Sequence, residues 1–132
     1  MHYQPAIAST KILLVEEDQD VREMLREYLS SAGALVDVTQ DADAAIAQML
    51  RHEPYDVMLS DVRMRGTMDG WGLARWVRRE RPLCLIFLMT GSYDQPEDAK
   101  LLVDAFLMKP FRLTELREIV ARCVQARSAT AR

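Results

Sequence analysis

The chain has 132 residues, 49% of them hydrophobic and 28% charged, with five glycines, five prolines and a formal net charge of −3. That length supports one hydrophobic core and no second folding unit, and the composition excludes a disordered or fibrous chain. The acidic balance argues against a nucleic-acid binder, and the longest apolar run, residues 83–89, is far short of the roughly 20 residues of a membrane span.

Residues 1–10 carry no sustained pattern and are expected to be a disordered tail, with no basic segment leading into an apolar one, so the protein is expected to be cytoplasmic. The folded unit is expected over residues 11–125. It starts with Ile12-Leu13-Leu14-Val15, the first of three nearly continuous apolar runs of the kind found in strands covered on both faces. A helix over residues 19–31 follows, with Val21, Met24, Leu25, Tyr28 and Leu29 along one face and Gly33 as its stop. Residues 35–38 form a weaker strand. A second helix over residues 43–51 begins with acidic residues and turns Ile46, Met49 and Leu50 inward.

Val57-Met58-Leu59 is the second apolar run, and a third helix over residues 71–80 offers Leu73, Ala74, Trp76 and Val77 to a core before Pro82 ends it. Arg75, Arg78, Arg79 and Arg81 read as a solvated face, with docking of an acidic partner as the alternative. Trp71 and Trp76 read as packing residues. After the third run, residues 83–89, only about ten residues (95–104) precede a weak strand at 105–108, enough for a short or irregular fourth helix. A last helix over residues 113–124 aligns Leu113, Leu116, Val120 and Cys123, and residues 126–132 are expected to be a disordered, polar tail. Cys84 and Cys123 sit inside apolar segments and read as buried reduced thiols, while His2 and His52 have no metal-ligand spacing. Five strands alternating with helices imply parallel strands joined by crossover helices, a three-layer α/β sandwich.

In such a sheet ligands bind beyond the carboxyl ends of the strands. The residues found there are Glu16-Glu17-Asp18 after the first strand, Asp61 after the third, Thr90-Gly91-Ser92 after the fourth and Lys109-Pro110 after the fifth. Asp18 reads as the cap of the first helix. Crowded carboxylates repel one another unless a cation neutralises them, which implies a divalent metal or a lysine partner. All-oxygen ligation favours magnesium over zinc, and magnesium is satisfied by one or two carboxylates plus phosphate oxygens, an arrangement suited to phosphoryl transfer. A strand-end carboxylate can attack phosphorus while a lysine and a hydroxyl hold the phosphoryl oxygens. Asp61, Lys109 and Thr90 fit those roles.

Five stretches together resemble the response-regulator receiver family of two-component signalling: residues 12–18 (ILLVEED), 55–61 (YDVMLSD), 68–70 (MDG), 88–91 (LMTG) and 106–111 (FLMKPF). The likeness spans about residues 11–124, with each motif in family order. It implies a doubly wound, flavodoxin-like strand order of 2-1-3-4-5, phosphorylation of Asp61 by a histidine kinase or phosphotransfer protein, and a cis Lys109–Pro110 bond. It also implies a magnesium site made by Glu16, Glu17, Asp61 and the carbonyl of Arg63, and a switch pair, Thr90 and Phe106, in which the hydroxyl swings toward the phosphoryl group and the ring turns inward.

Three departures from the family pattern bear on chemistry. Glu17 stands where the family usually has the shorter Asp. The loop after Asp61 has Arg65 in place of a common proline and one residue more before Gly70. Arg63 and Ser92 occupy the two positions that, in the family, tune the lifetime of the acyl phosphate. The expected function is a stand-alone receiver that signals to a downstream protein, binds neither nucleic acid nor membrane, is a monomer or weak dimer, and has no enzymatic activity beyond self-phosphorylation and slow autodephosphorylation. Two alternatives are a receiver-like binding module that has lost phosphorylation, and a small aspartyl-phosphate phosphohydrolase.

Overall fold

The computed structural model describes residues 6–130; the disordered-tail expectation for residues 1–5 and 131–132 lies outside the described residues. The apolar runs become β1 (Lys11–Val15), β3 (Val57–Asp61) and β4 (Leu85–Thr90), flanked by the weaker β2 (Leu35–Thr39) and β5 (Ala105–Met108). All pairings are parallel, in the order β2-β1-β3-β4-β5, so the three apolar strands are central and the weaker two are edges. Successive side chains in a strand point to opposite faces, and here both faces are buried, which is why these runs do not alternate in polarity. Leu13, Val15, Met58, Ile86 and Leu88 face one core with Ala45, Met49, Leu73 and Val77. Ile12, Leu14, Val57, Leu59 and Phe87 face the other with Leu25, Leu29, Leu116 and Val120.

The helices α1 (Gln19–Ser31) and α5 (Leu113–Thr130) cover the second face, and α2 (Ala42–Arg51), α3 (Gly70–Glu80) and α4 (Ala99–Leu102) the first. Asp18 caps α1 by accepting from the amides of Asp20 and Val21, and Gly33, with a positive φ, follows its end. The short fourth helix is a single turn, as its ten-residue span requires.

Several expectations fail locally. The C-terminal tail is helical through Thr130, because Arg127 donates to the carbonyls of Asp56 (3.1 Å) and Leu83 (2.9 Å) and pairs with the Asp56 carboxylate at 3.0 Å. Residues 7–10 also belong to the fold: Ile7 is buried in the second core and the Ser9 amide donates to Gly33 O at 2.8 Å. A lone apolar residue has no period, so nothing marked it. Met24 and Leu50, expected inward, are exposed, and β4 begins at Leu85 because a turn closed by Cys84 N and Arg81 O precedes it, leaving Leu83 in solvent. The arginines of α3 are not simply solvated. Arg75 pairs with Asp98 at 3.1 Å, Arg78 holds Leu102 O and Asp104, and Arg81 reaches Met49 O while lying 5.8 Å from the Trp76 ring centroid. They fasten the one-turn α4 against α3, replacing the apolar contact a longer helix would make.

Candidate functional site

Register alone gathers the chemical residues. Val15 lies opposite Ser60, Asp61 opposite Met89 and Thr90 opposite Met108, so one step further along each strand brings Glu16, Asp61, Thr90 and Lys109 to the same sheet edge. They line a cleft of about 920 Å³ together with Glu17, Asp18, Asp41, Arg63, Arg65 and Ser92.

At its floor Lys109 Nζ donates to Asp61 Oδ1 at 2.7 Å and stands 3.9 Å from Glu16 Oε2. Asp61 and Glu16 are 5% and 3% exposed. Burial, with Asp61 beside it, pushes the Glu16 carboxyl up from 4.5 to about 8, against the pull of the Asp18 amide and Lys109. Glu16 therefore holds a proton at neutral pH. Its Oε1 accepts from Asp18 N at 3.1 Å, whereas its buried Oε2 has no hydrogen-bond partner.

Arg22 of α1 secures the β1–α1 turn by donating to Glu16 O at 2.9 Å and Glu17 O at 3.4 Å. The end of β4 is tied to β5 by Lys109 N donating to Thr90 O at 2.7 Å, and Thr90 Oγ1 accepts from Ser92 N at 3.1 Å. The Lys109–Pro110 bond is cis. Ser60 Oγ donates to Asp61 O at 2.8 Å, fixing the backbone that carries the carboxylate.

Glu17 is on the rim, where its Oε1 receives Arg65 Nε at 2.8 Å. Among the described residues no group of three or more His, Cys, Asp and Glu side chains is assembled to hold a metal ion. What the floor offers is two carboxylates, one with an orphaned buried oxygen. That donor set fits an oxygen-seeking ion that keeps several waters, as magnesium does, and not a caged structural metal.

Phe106 is half-buried on β5 and stacks on Trp71 of α3, centroids 5.7 Å apart. Trp71 was read as plain packing; its ring is the surface against which the candidate switch residue lies. Two further features escaped sequence reading. Gly70 is pressed so close to the end of β3 that a Cβ there would stand 2.2 Å from Asp61 O. The Arg65–Glu17 pair is the other; its only signal was a cation where a proline is usual.

The sequence model of the response regulator receiver domain matches residues 12–121. The chain is 39% identical over 117 residues to the transcriptional regulatory protein GltR of Pseudomonas aeruginosa, covering 84% of this chain and 46% of that protein. It thus spans half or less of the length of the curated relatives it matches. Among solved structures, TrrA of Thermotoga maritima, in complex with Mg2+–BeF, superposes with a TM-score of 0.76 at 27% identity, covering 84% of this chain and 96% of TrrA. The chemotaxis response regulator CheY4 of Vibrio cholerae superposes with a TM-score of 0.73 at 25% identity, covering 91% and 99%.

Proposed function

The chain belongs to the response regulator receiver domain family, and from that premise we propose that Asp61 accepts a phosphoryl group from a phosphohistidine on a histidine kinase or phosphotransfer protein. The observation that carries this reading is the 2.7 Å contact of Lys109 Nζ with Asp61 Oδ1, in a buried site that also holds Glu16. A carboxylate oxygen of Asp61 attacks phosphorus; a P–O bond forms as the P–N bond breaks, and the electron pair returns to the donor's imidazole. Lys109 is within reach of both the attacking carboxylate and an incoming phosphoryl oxygen, and the Thr90 hydroxyl binds a second oxygen. Magnesium, as in the TrrA complex, would supply charge neutralisation on the transferring group, held by Glu16 and Asp61 with Glu17 and the Arg63 carbonyl completing the set. Glu16 gives up its proton as the ion enters.

Phosphorylation draws Thr90 toward the phosphoryl oxygens, and Phe106, already packed on Trp71, transmits the change to the surface around α4 and β5. A downstream protein reads that surface, in the cytoplasm where the donor kinase has its ATP. The GltR relative is a transcriptional regulator; nothing in this chain's own charge, −3 overall, suits it to hold DNA itself. The Arg65–Glu17 pair favours a second reading, a binding module that never takes phosphate, because it withholds one carboxylate from the ion.

Intact-mass measurement after incubation with acetyl phosphate and magnesium separates the two. A gain of one phosphate in the parent and none in Asp61→Asn supports the receiver. Equal gain in both removes Asp61 as acceptor, and no gain in either leaves the binding module.

A further inference from the structure

The site is charge-balanced without a metal. Asp61 is paired with Lys109, Glu17 with Arg65, and Glu16 carries a proton. We infer that Arg65 is a built-in competitor for the site's cation: its guanidinium occupies Glu17, and magnesium completes its site only by displacing it. This inference rests on the receiver reading and on Glu17 as one of the ion's ligands.

Local structure accounts for the placement. Met64 packs on the first core and touches Ser60 Oγ through its sulfur at 3.8 Å, while the chain turns outward again at Gly66 (φ +105°). Gly70 N closes the loop onto Val62 O at 2.7 Å. Arg65, between an anchored residue and a turn, is thereby directed across the cleft mouth, and its Nε meets Glu17 Oε1 at 2.8 Å.

The pair contributes nothing to the core. The Arg65 side chain is 93% exposed and that of Glu17 37%, so the contact is made at the rim of the cleft and can open without disturbing packing. A guanidinium satisfies one carboxylate at a time. A divalent ion can take Glu17 together with Glu16 and Asp61, and so replaces the pair when its concentration is high enough. Glu17's extra methylene, compared with Asp, lets its carboxylate extend toward Arg65, so the two departures in this sequence act together. Arg65 is in this sense a positioning residue, acting through Glu17.

The test is calorimetric titration with MgCl2 of the parent and of Arg65→Gln, Arg65→Lys and Glu17→Asp, the last also combined with Arg65→Gln. Arg65→Gln should bind magnesium roughly two- to fivefold tighter, the range an exposed ion pair supplies, while Arg65→Lys stays near the parent. In the Glu17→Asp background, where the shorter carboxylate withdraws from the loop, Arg65→Gln should give a smaller gain. Melting temperature without metal should be unchanged by Arg65→Gln, since the pair is at the surface. Unchanged or weaker magnesium binding in Arg65→Gln, with the parent binding normally, overturns the inference but leaves the receiver reading. An equal gain in both backgrounds overturns it too, because Arg65 would then act only through the overall charge of the cleft. If neither parent nor variant binds magnesium, the cation site and the inference fall together, while phosphate uptake on Asp61 remains separately measurable.

Discussion

Gly70→Ala tests the closest contact in the structure. A Cβ at position 70 would stand 2.2 Å from Asp61 O, 2.7 Å from Val62 Cα and 3.0 Å from Asp61 C, all backbone atoms that no rotamer change can clear. Alanine at the first residue of α3 gains up to about 1 kcal/mol from backbone propensity and a smaller unfolded-state entropy. Overpacking against fixed atoms costs about 1–3 kcal/mol and more when the backbone must shift. The steric term wins, and a net loss near 2 kcal/mol is expected, which for a domain of this size lowers the melting temperature by about 6–10 °C. Urea unfolding followed through Trp71 and Trp76 measures it directly, as a midpoint about 1 M lower for a slope near 2 kcal/mol/M. Two companion variants separate space from backbone. At Gly91 a Cβ meets nothing within 4 Å, so Gly91→Ala should be neutral or stabilising; at Gly66 the space is also open but φ is +105°, so Gly66→Ala should lose about 1 kcal/mol. Because Gly70 bears on the carbonyl of Asp61, Gly70→Ala should also slow phosphate uptake. A Gly70→Ala protein as stable as Gly91→Ala would refute the packing described for the β3–α3 junction.

The buried Glu16 makes metal-free stability depend on pH. Its carboxyl is held up to about 8 in the folded protein against 4.5 ordinarily, so between these values the native state keeps a proton that the unfolded chain releases. Stability is therefore highest below about 4.5 for this group and falls as pH rises toward 8. Asp61→Asn, which removes a neighbouring carboxylate that raises Glu16, should flatten that slope, and urea midpoints at pH 5, 6.5 and 8 in the presence of a chelator decide it. A parallel slope in both proteins would mean that Asp61 does not act on Glu16. Arg127→Ala should fray the end of α5 by removing its bonds to Asp56 and Leu83, at a cost of about 1 kcal/mol given the partial exposure of the pair. Amide exchange over residues 124–130 should quicken while that of β4 stays protected; unchanged exchange would show that the helix end does not depend on Arg127.

Much of this architecture is legible before any folding is considered, because each element is announced by a local signal. Runs such as 12–15 and 57–59 lack alternation since both faces of the central strands are covered, and the Val21 to Leu29 period marks α1. The ten-residue span at 95–104 cannot hold more than the single turn found there. Once the strands are parallel and in that order, register leaves no freedom: Glu16, Asp61, Thr90 and Lys109 must share an edge. Met24 and Leu50 show the limit of periodicity, for a residue at the border of an apolar stripe is exposed or covered according to the neighbour it meets.

The sequence by itself determined the elements, the sheet and the residues delivered to its carboxyl edge, since strand order and period 2 are properties of contiguous chain. Only the tertiary structure decided which partners the long cationic side chains take: Arg65 on Glu17, Arg75 and Arg78 on the α4 segment, Arg127 under the sheet on Asp56. A guanidinium on a flexible stem can reach any carboxylate within several ångströms, so its choice is set by how loops and helix ends are folded against one another. The same holds for the Trp71–Phe106 stack and for the approach of Gly70 to Asp61, which join elements that no local pattern relates.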